Sequence, residues 1–365
     1  MNKKLLAVAV ASAVAAPMAA SADSSLTVYG GTGIAIESID NDINDELAVN
    51  SNHSALGFEG STDINSDLAA VFHWDAFVAL DGSGNSTNDL IGGGRDGWAG
   101  LRGSFGTVAL GFQGRPWKTL SHALDPFEGT VADYSSVLGN TGALTAIESG
   151  QGFDTGIGNA IIWFGPNING FTWHAQYGAA DTANGLNNYG LQANYSNDQF
   201  FIGASFDENE GSGSNPDLSV FKIVGSVNFN GVTVTGAIEN IDGIGAADDD
   251  RDAFWIAGTI PVGHGSVRAA FTTADETGSN DDGADQFSLG YFGNLSDNAT
   301  WYVIYSQVSN DDNGRYGFVS APHTSTIDTT LSNQAFTNAG DATQAGNDST
   351  AIAVGIKYNF AADLI

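Results

Sequence analysis

The chain has no cysteine, only seven prolines, and only 11 lysines and arginines among 365 residues. Without a thiol there is no disulfide framework and no thiolate chemistry. Beyond the N-terminus no stretch approaches 18 apolar residues, so no transmembrane helix is expected. Against the few cations stand 42 aspartates and glutamates, a formal charge of −31. Such a surface repels nucleic acid and accumulates cations, so no nucleic-acid partner is expected. A marine or halophilic habitat would account for the same number.

Catalytic signatures are also missing. The six histidines (53, 73, 122, 174, 264 and 323) are scattered, with no pair at metal-site spacing. No nucleophile elbow, phosphate-binding loop or dinucleotide fingerprint occurs. No Ser-His-Asp set can be assembled. The chain reads as a non-enzyme with no cofactor.

What is present begins with a leader. Lys3 and Lys4 precede an apolar run from Leu5 to Ala20, and Ala20-Ser21-Ala22 is a small-x-small cleavage site. Residues 1–22 are therefore expected to be a signal peptide, with 23–365 as the exported domain. Losing Lys3 and Lys4, with no acidic residue, takes the charge from −31 to −33. Glycine is abundant, 48 residues, and aromatics make up 10%, a balance that favours strands and turns.

Sixteen apolar or alternating runs follow. They are 25–38, 55–61, 69–78, 95–103, 107–113, 159–164, 171–179 and 189–195, then 200–206, 220–229, 232–239, 253–260, 266–272, 286–292, 300–307 and 351–360. Short linkers such as 104–106 and 230–231 swap strictly with long ones such as 40–54, 80–94, 115–158 and 309–350. That is the pattern of strands crossing a membrane, with short turns on one side and long loops outside. In Leu56, Gly57, Phe58 and Glu59 apolar and other residues alternate, as lipid and lumen faces require. Aromatics such as Phe200, Phe201, Tyr291 and Phe292 gather at run ends, where interfacial girdles lie. The expected fold is an all-β, sixteen-stranded antiparallel transmembrane barrel. The segment 115–158 lacks alternation, and so long an irregular connection usually has a job. It is expected to be a third loop folded inward, narrowing the bore.

Several segments carry a family resemblance. Leu26-Thr27-Val28-Tyr29-Gly30, Ser54-Ala55-Leu56-Gly57-Phe58-Glu59-Gly60, Arg95-Asp96-Gly97-Trp98-Ala99-Gly100-Leu101 and Phe105 to Gln113 are the most specific. Asp125-Pro126-Phe127 and the closing Gly355 to Phe360 add to them. Together they resemble the trimeric, sixteen-stranded general porins of Gram-negative outer membranes. The resemblance implies a homotrimer in the outer membrane, latched through the second loop at 80–94 and embedded in lipid and lipopolysaccharide. Three cations usual in the family are replaced by Ala55, Glu59 and Phe112, and residues 361–365 follow the usual terminal aromatic.

For pore chemistry the expected constriction set is Asp125, Glu128 and Asp133 on the loop, with Glu59, Arg95 and Arg102 from the wall and Arg115 and Lys118 at the loop's root. Excess carboxylate there favours cations. The clusters Asp248-Asp249-Asp250 and Asp281-Asp282 are candidates for loosely bound Ca²⁺ or other divalent ions bridging to lipopolysaccharide phosphates. The function expected is passive diffusion of ions and small hydrophilic solutes. A channel selective for one solute, or a structural or adhesive surface barrel, are the alternatives.

Overall fold

The computed structural model describes residues 24–42, 45–81, 91–140, 153–180, 187–211, 216–245, 247–318 and 345–364. The expected signal peptide, and most of the 80–94 and 309–350 loops, lie outside the described residues. The strands are β1 Ser25–Asp40, β2 Asp45–Ser51, β3 Ala55–Asn65, β4 Leu68–Val78, β5 Ile91–Gly103, β6 Gly106–Gly114, β7 Gly156–Phe164, β8 Phe171–Gly178 and β9 Asn188–Ser196. They continue as β10 Phe200–Asn209, β11 Leu218–Phe229, β12 Val232–Ile244, β13 Asp249–Val262, β14 Gly265–Ala274, β15 Ala284–Asn294, β16 Ala299–Asn310 and β17 Ser349–Asp363.

Neighbours pair antiparallel throughout, and β17 returns to β1 with Thr27 opposite Asp363. Closure leaves no sheet edge to meet lipid unpaired. The last strand thus runs three residues past Phe360, and Thr27 donates to Asp363 at 2.8 Å. β2 and β3 are two halves of one wall strand, because β1 pairs with β2 over Ile34–Asp40 and with β3 over Ser25–Gly31. The wall is therefore sixteen-stranded.

The first long loop expected from the sequence is corrected here. Most of 40–54 is wall, and the connection from β1 to β2 is only 41–44. Its Asn and Asp content imitated a loop. In fact Leu47 and Val49 are exposed on the outer face, while Asn50 is buried on the inner one. Likewise β12 and β13 extend until only 245–248 separates them. Linker length is thus less strictly alternating than the composition implied.

Alternation decides the two faces. On β11 Phe221 is exposed and Lys222 buried; on β13 Phe254 and Ile256 are exposed while Arg251 and Trp255 are buried. Charge inside and apolar side chains outside invert the soluble pattern, and a lipid-facing band explains it. Rings crowd the short turns, as in Trp163–Trp173 at 5.6 Å, Tyr195–Phe200 at 5.6 Å and Tyr291–Trp301 at 5.5 Å between centroids. The Asn230-Gly231 turn has φ of 52° and 86°, the left-handed pair that matches strand twist.

Candidate functional site

Between β6 and β7 the chain forms a short helix, α1, Pro116–Ser121, and two 3₁₀ turns, His122–Leu124 and Tyr134–Ser136. Proline fits the first turn of a helix, where its missing N–H is not needed. No side chain of the segment itself caps α1. Instead the Trp117 N–H donates to Asp207 Oδ2 on β10 at 2.8 Å, so a wall carboxylate satisfies an orphan donor.

Four charged residues on β10 to β13 engage this segment. Trp117 Nε1 donates to Glu239 Oε2 at 2.6 Å, and Gly139 N donates to Glu239 Oε1 at 2.9 Å. Arg251 Nη2 donates to the same Oε1 at 2.7 Å. Arg251 also reaches the carbonyls of Val137 and Asn140 and the Tyr316 hydroxyl. Lys222 Nζ donates to Trp117 O at 2.7 Å and Ser121 Oγ at 2.5 Å, and sits 3.3 Å from the centre of the Trp117 ring. Sequence reasoning missed Asp207, Lys222, Glu239 and Arg251. The available signal was a lone charge within an apolar run, as Lys222 in Val220-Phe221-Lys222-Ile223-Val224.

The expected loop carboxylates separate into two kinds. Asp125 accepts from the N–H groups of Phe127 at 2.9 Å and Tyr134 at 3.1 Å, and is buried. Asp133 accepts from Ser135 N, Ser135 Oγ and Gly129 N, and is fully buried. Both therefore brace the segment's backbone. Glu128 differs: its side chain keeps 33% of its surface, with Oε1 2.8 Å from His122 Nδ1 and 3.7 Å from His53 Nε2.

His53 reaches this point because the wall strand breaks at 52–54, where His53 takes φ of 54°. Glu37 holds the break, accepting from Asn50 and Asn52 at 2.5 Å each. Arg95 Nη1 lies 3.0 Å from His53 Nε2, and its Nε lies 3.8 Å from Asp75 Oδ2. The β4–β5 register shifts beside Asp75, which carries Arg95 to the inner side along with Trp98. Lys357 on β17, two strands from the break at 52–54, donates to the Glu128 carbonyl, and Arg268 on β14 donates to the Pro126 carbonyl. The cations absent at Ala55, Glu59 and Phe112 thus have counterparts on β14 and β17.

The remaining predicted residues sit apart. Arg115 is buried at the segment's root, donating from Nε to Thr155 Oγ1 at 3.0 Å. Lys118 pairs with Asp154 at 3.1 Å. Glu59 projects on the inner face of β3, 3.7 Å from His73. Arg102 lies opposite Thr107 beside the short turn and takes no part in the cluster around Glu128.

Burial alone would lower the His122 pKa, but the adjacent Glu128, with Asp133 and Asp154, raises it to about 9. Against burial, His122 and then His53 hold the Glu128 carboxyl well below its usual range. Burial, then the Asp133 charge, pushes the Asp125 carboxyl well above it.

At Asp248, Asp249, Asp250, Asp281 and Asp282, where loosely bound Ca²⁺ is expected, the structure assembles no compact set of three ligand atoms. Among the described residues, three ligand atoms come within 4.8 Å of one another only at His73, Asp75 and Asp96. Asp282 turns onto the Thr277 N–H at 2.6 Å, and Asp250 lies in strand register opposite Asp242.

Comparison with known proteins agrees with this architecture. A family model described as Gram-negative porin matches residues 7–313. The major outer membrane protein P.IB of Neisseria sicca is 26% identical over 272 residues, 64% of this chain and 71% of that protein. The anion-selective porin from Comamonas acidovorans superposes with a TM-score of 0.71 at 20% identity, covering 93% of this chain and 100% of that one. OmpT of Vibrio cholerae, expressed in the outer membrane, gives 0.65 at 16% identity, covering 94% and 99%.

Proposed function

The chain belongs to the Gram-negative porin family, and from that premise we propose a cation-preferring channel for passive diffusion of ions and small hydrophilic solutes, constricted by an inward-folded segment 115–158. Family members are outer-membrane channels, not enzymes. The observation that carries the constriction is the set of contacts from residues 117–139 to the inner-face side chains Asp207, Lys222, Glu239, Arg251 and Gln286. A segment roped to that many inward side chains narrows the water column. Among the described loop carboxylates Glu128 keeps the most exposed surface, 33% against 16% for Asp154, and Arg95, Arg268 and Lys357 surround its approach. Asp125 and Asp133 hold the segment's shape, Arg115 and Lys118 anchor its root, and Arg102 lies outside the constriction.

Cation preference follows from the excess of acidic residues over the whole chain, 42 against 11, which concentrates cations at the channel mouths, and it acts against Arg95, Arg268 and Lys357 at the constriction itself. The Comamonas relative is anion-selective, but 20% identity carries the fold and not the selectivity. Assembly as a trimer rests on the family. The test is single-channel recording of the purified protein in a planar bilayer under a tenfold KCl gradient. A reversal potential of cationic sign is expected, and chloride preference overturns the selectivity.

A solute-selective channel has one observation in its favour. Tyr29, His73, Trp98, Phe164 and His174 form a continuous row of rings along the inner wall, with centroid spacings of 5.7, 5.4, 5.5 and 4.7 Å. Saturable current block by one solute would select that reading.

A further inference from the structure

The inner wall holds a cluster that the constriction does not use. Asp75 on β4 and Asp96 on β5 are direct register partners. Like charges placed opposite each other in a sheet destabilise it unless a cation lies between them. His73 sits two residues before Asp75 and therefore on the same face. One imidazole nitrogen and one oxygen from each carboxylate all lie within 4.8 Å of one another.

The three side chains are held in place. Asp75 Oδ1 accepts from Asp96 N at 2.8 Å, and Asp96 Oδ1 accepts from Gly114 N at 2.7 Å. Each carboxylate is thus fixed by one oxygen while its other stays available. The His73 ring stacks between Tyr29, at 5.7 Å, and Trp98, at 5.4 Å and 12°. The Tyr29 hydroxyl lies 3.1 Å from His73 Nε2. The same hydroxyl lies 3.4 Å from Nδ1, and such an outer layer orients a ligating imidazole. Glu59 Oε2, 3.7 Å from His73 Nδ1, adds a third carboxylate within reach.

The resident cation is a poor counterion. Arg95 meets Asp75 only through Nε at 3.8 Å, while its Nη1 is engaged by His53 at 3.0 Å and its guanidinium lies over Phe77. Three carboxylates then face one guanidinium. We propose that His73, Asp75 and Asp96, with Glu59 in support, form a binding site on the channel wall for a divalent transition-metal ion of the Zn²⁺ type. The nitrogen donor is the reason for that class: imidazole suits Zn²⁺, Cu²⁺ and Ni²⁺, whereas Ca²⁺ and Mg²⁺ take oxygen shells. The site needs only the barrel wall. Its effect on current, a partial block by the bound ion, rests on the diffusion reading.

The experiment is isothermal titration of ZnCl₂ into the purified full chain in detergent, alongside bilayer recording with and without Zn²⁺. One Zn²⁺ per chain is expected, unaffected by millimolar Ca²⁺. H73Q and D96N should each weaken binding about tenfold or more, as loss of a ligand does. The thermal unfolding midpoint of both variants in detergent is compared with the parent to show that the barrel is intact. No uptake by the parent, or equal affinity in an intact H73Q, overturns the site. A barrel that conducts yet ignores Zn²⁺ rejects the site and leaves the channel standing. One that takes up Zn²⁺ but never conducts keeps the site and rejects the channel.

Discussion

The indole of Trp117 and the carboxylate of Glu239 are 122 residues apart in sequence and 2.6 Å apart in space. That bond ties the short helix α1 to strand β12. Through Oε1 the same carboxylate holds Arg251 at 2.7 Å and the Gly139 N–H at 2.9 Å. One side chain therefore fastens both ends of the described segment to the wall.

E239A leaves the Arg251 guanidinium buried without its partner. Breaking a buried pair this way costs about 3–5 kcal/mol. The thermal unfolding midpoint in detergent should fall, and open-channel current should become noisier as the segment loosens. An unchanged midpoint and quiet current would show that Glu239 does not tether it.

Glu128 and Asp125 should behave differently although both are acidic and three residues apart. E128Q removes an exposed charge and should move the reversal potential toward anions. D125N should leave the reversal potential in place and cost stability, about 1–3 kcal/mol, because the amide cannot accept from both Phe127 and Tyr134. Equal shifts in reversal potential from the two variants would contradict this division.

The His122–Glu128 pair sets a pH window. His122 is raised from 6.5 to about 9, so its stabilisation is full below 6.5 and is lost as pH rises through about 9. Glu128 is depressed from 4.5, so its share is present above 4.5 and is lost only as pH falls through its lowered pKa. The unfolding midpoint of the parent should therefore drop on the alkaline side near pH 9. H122Q should flatten that alkaline limb, measured as midpoint against pH.

The strand break at 52–54 depends on Glu37 accepting from two asparagines. E37A strands both buried amides and should cost about 2–5 kcal/mol. H53G should fold nearly as well as the parent, because φ of 54° suits glycine. It removes only the imidazole between Arg95 and Glu128, and bilayer recording should show altered selectivity with a normal unfolding midpoint.

Much of the barrel was legible because a strand has period two. Val227 and Phe229 against Ser226 and Asn228 announce two faces without any tertiary information. Around the segment expected at 115–158, the flanking strands end at Gly114 and begin at Gly156. Asp45–Ser51 escaped notice because the inner face of a water-filled barrel tolerates Asn and Glu. Its polarity therefore looked like a loop's. Spacing and the family resemblance point to Asp125 and Asp133 as pore carboxylates, whereas the structure shows both accepting from backbone N–H groups.

Composition and alternation, then, were enough for a closed sheet with an apolar exterior, since both depend on neighbours along the chain. Which charges meet is another matter. Asp207, Lys222, Glu239 and Arg251 find the 117–140 segment only because closure brings β10 to β13 across from it. Asp75 meets Asp96 and His73 only through the β4–β5 register. Distances of a few ångströms between residues tens of positions apart are set by closure and register, and no local pattern records them.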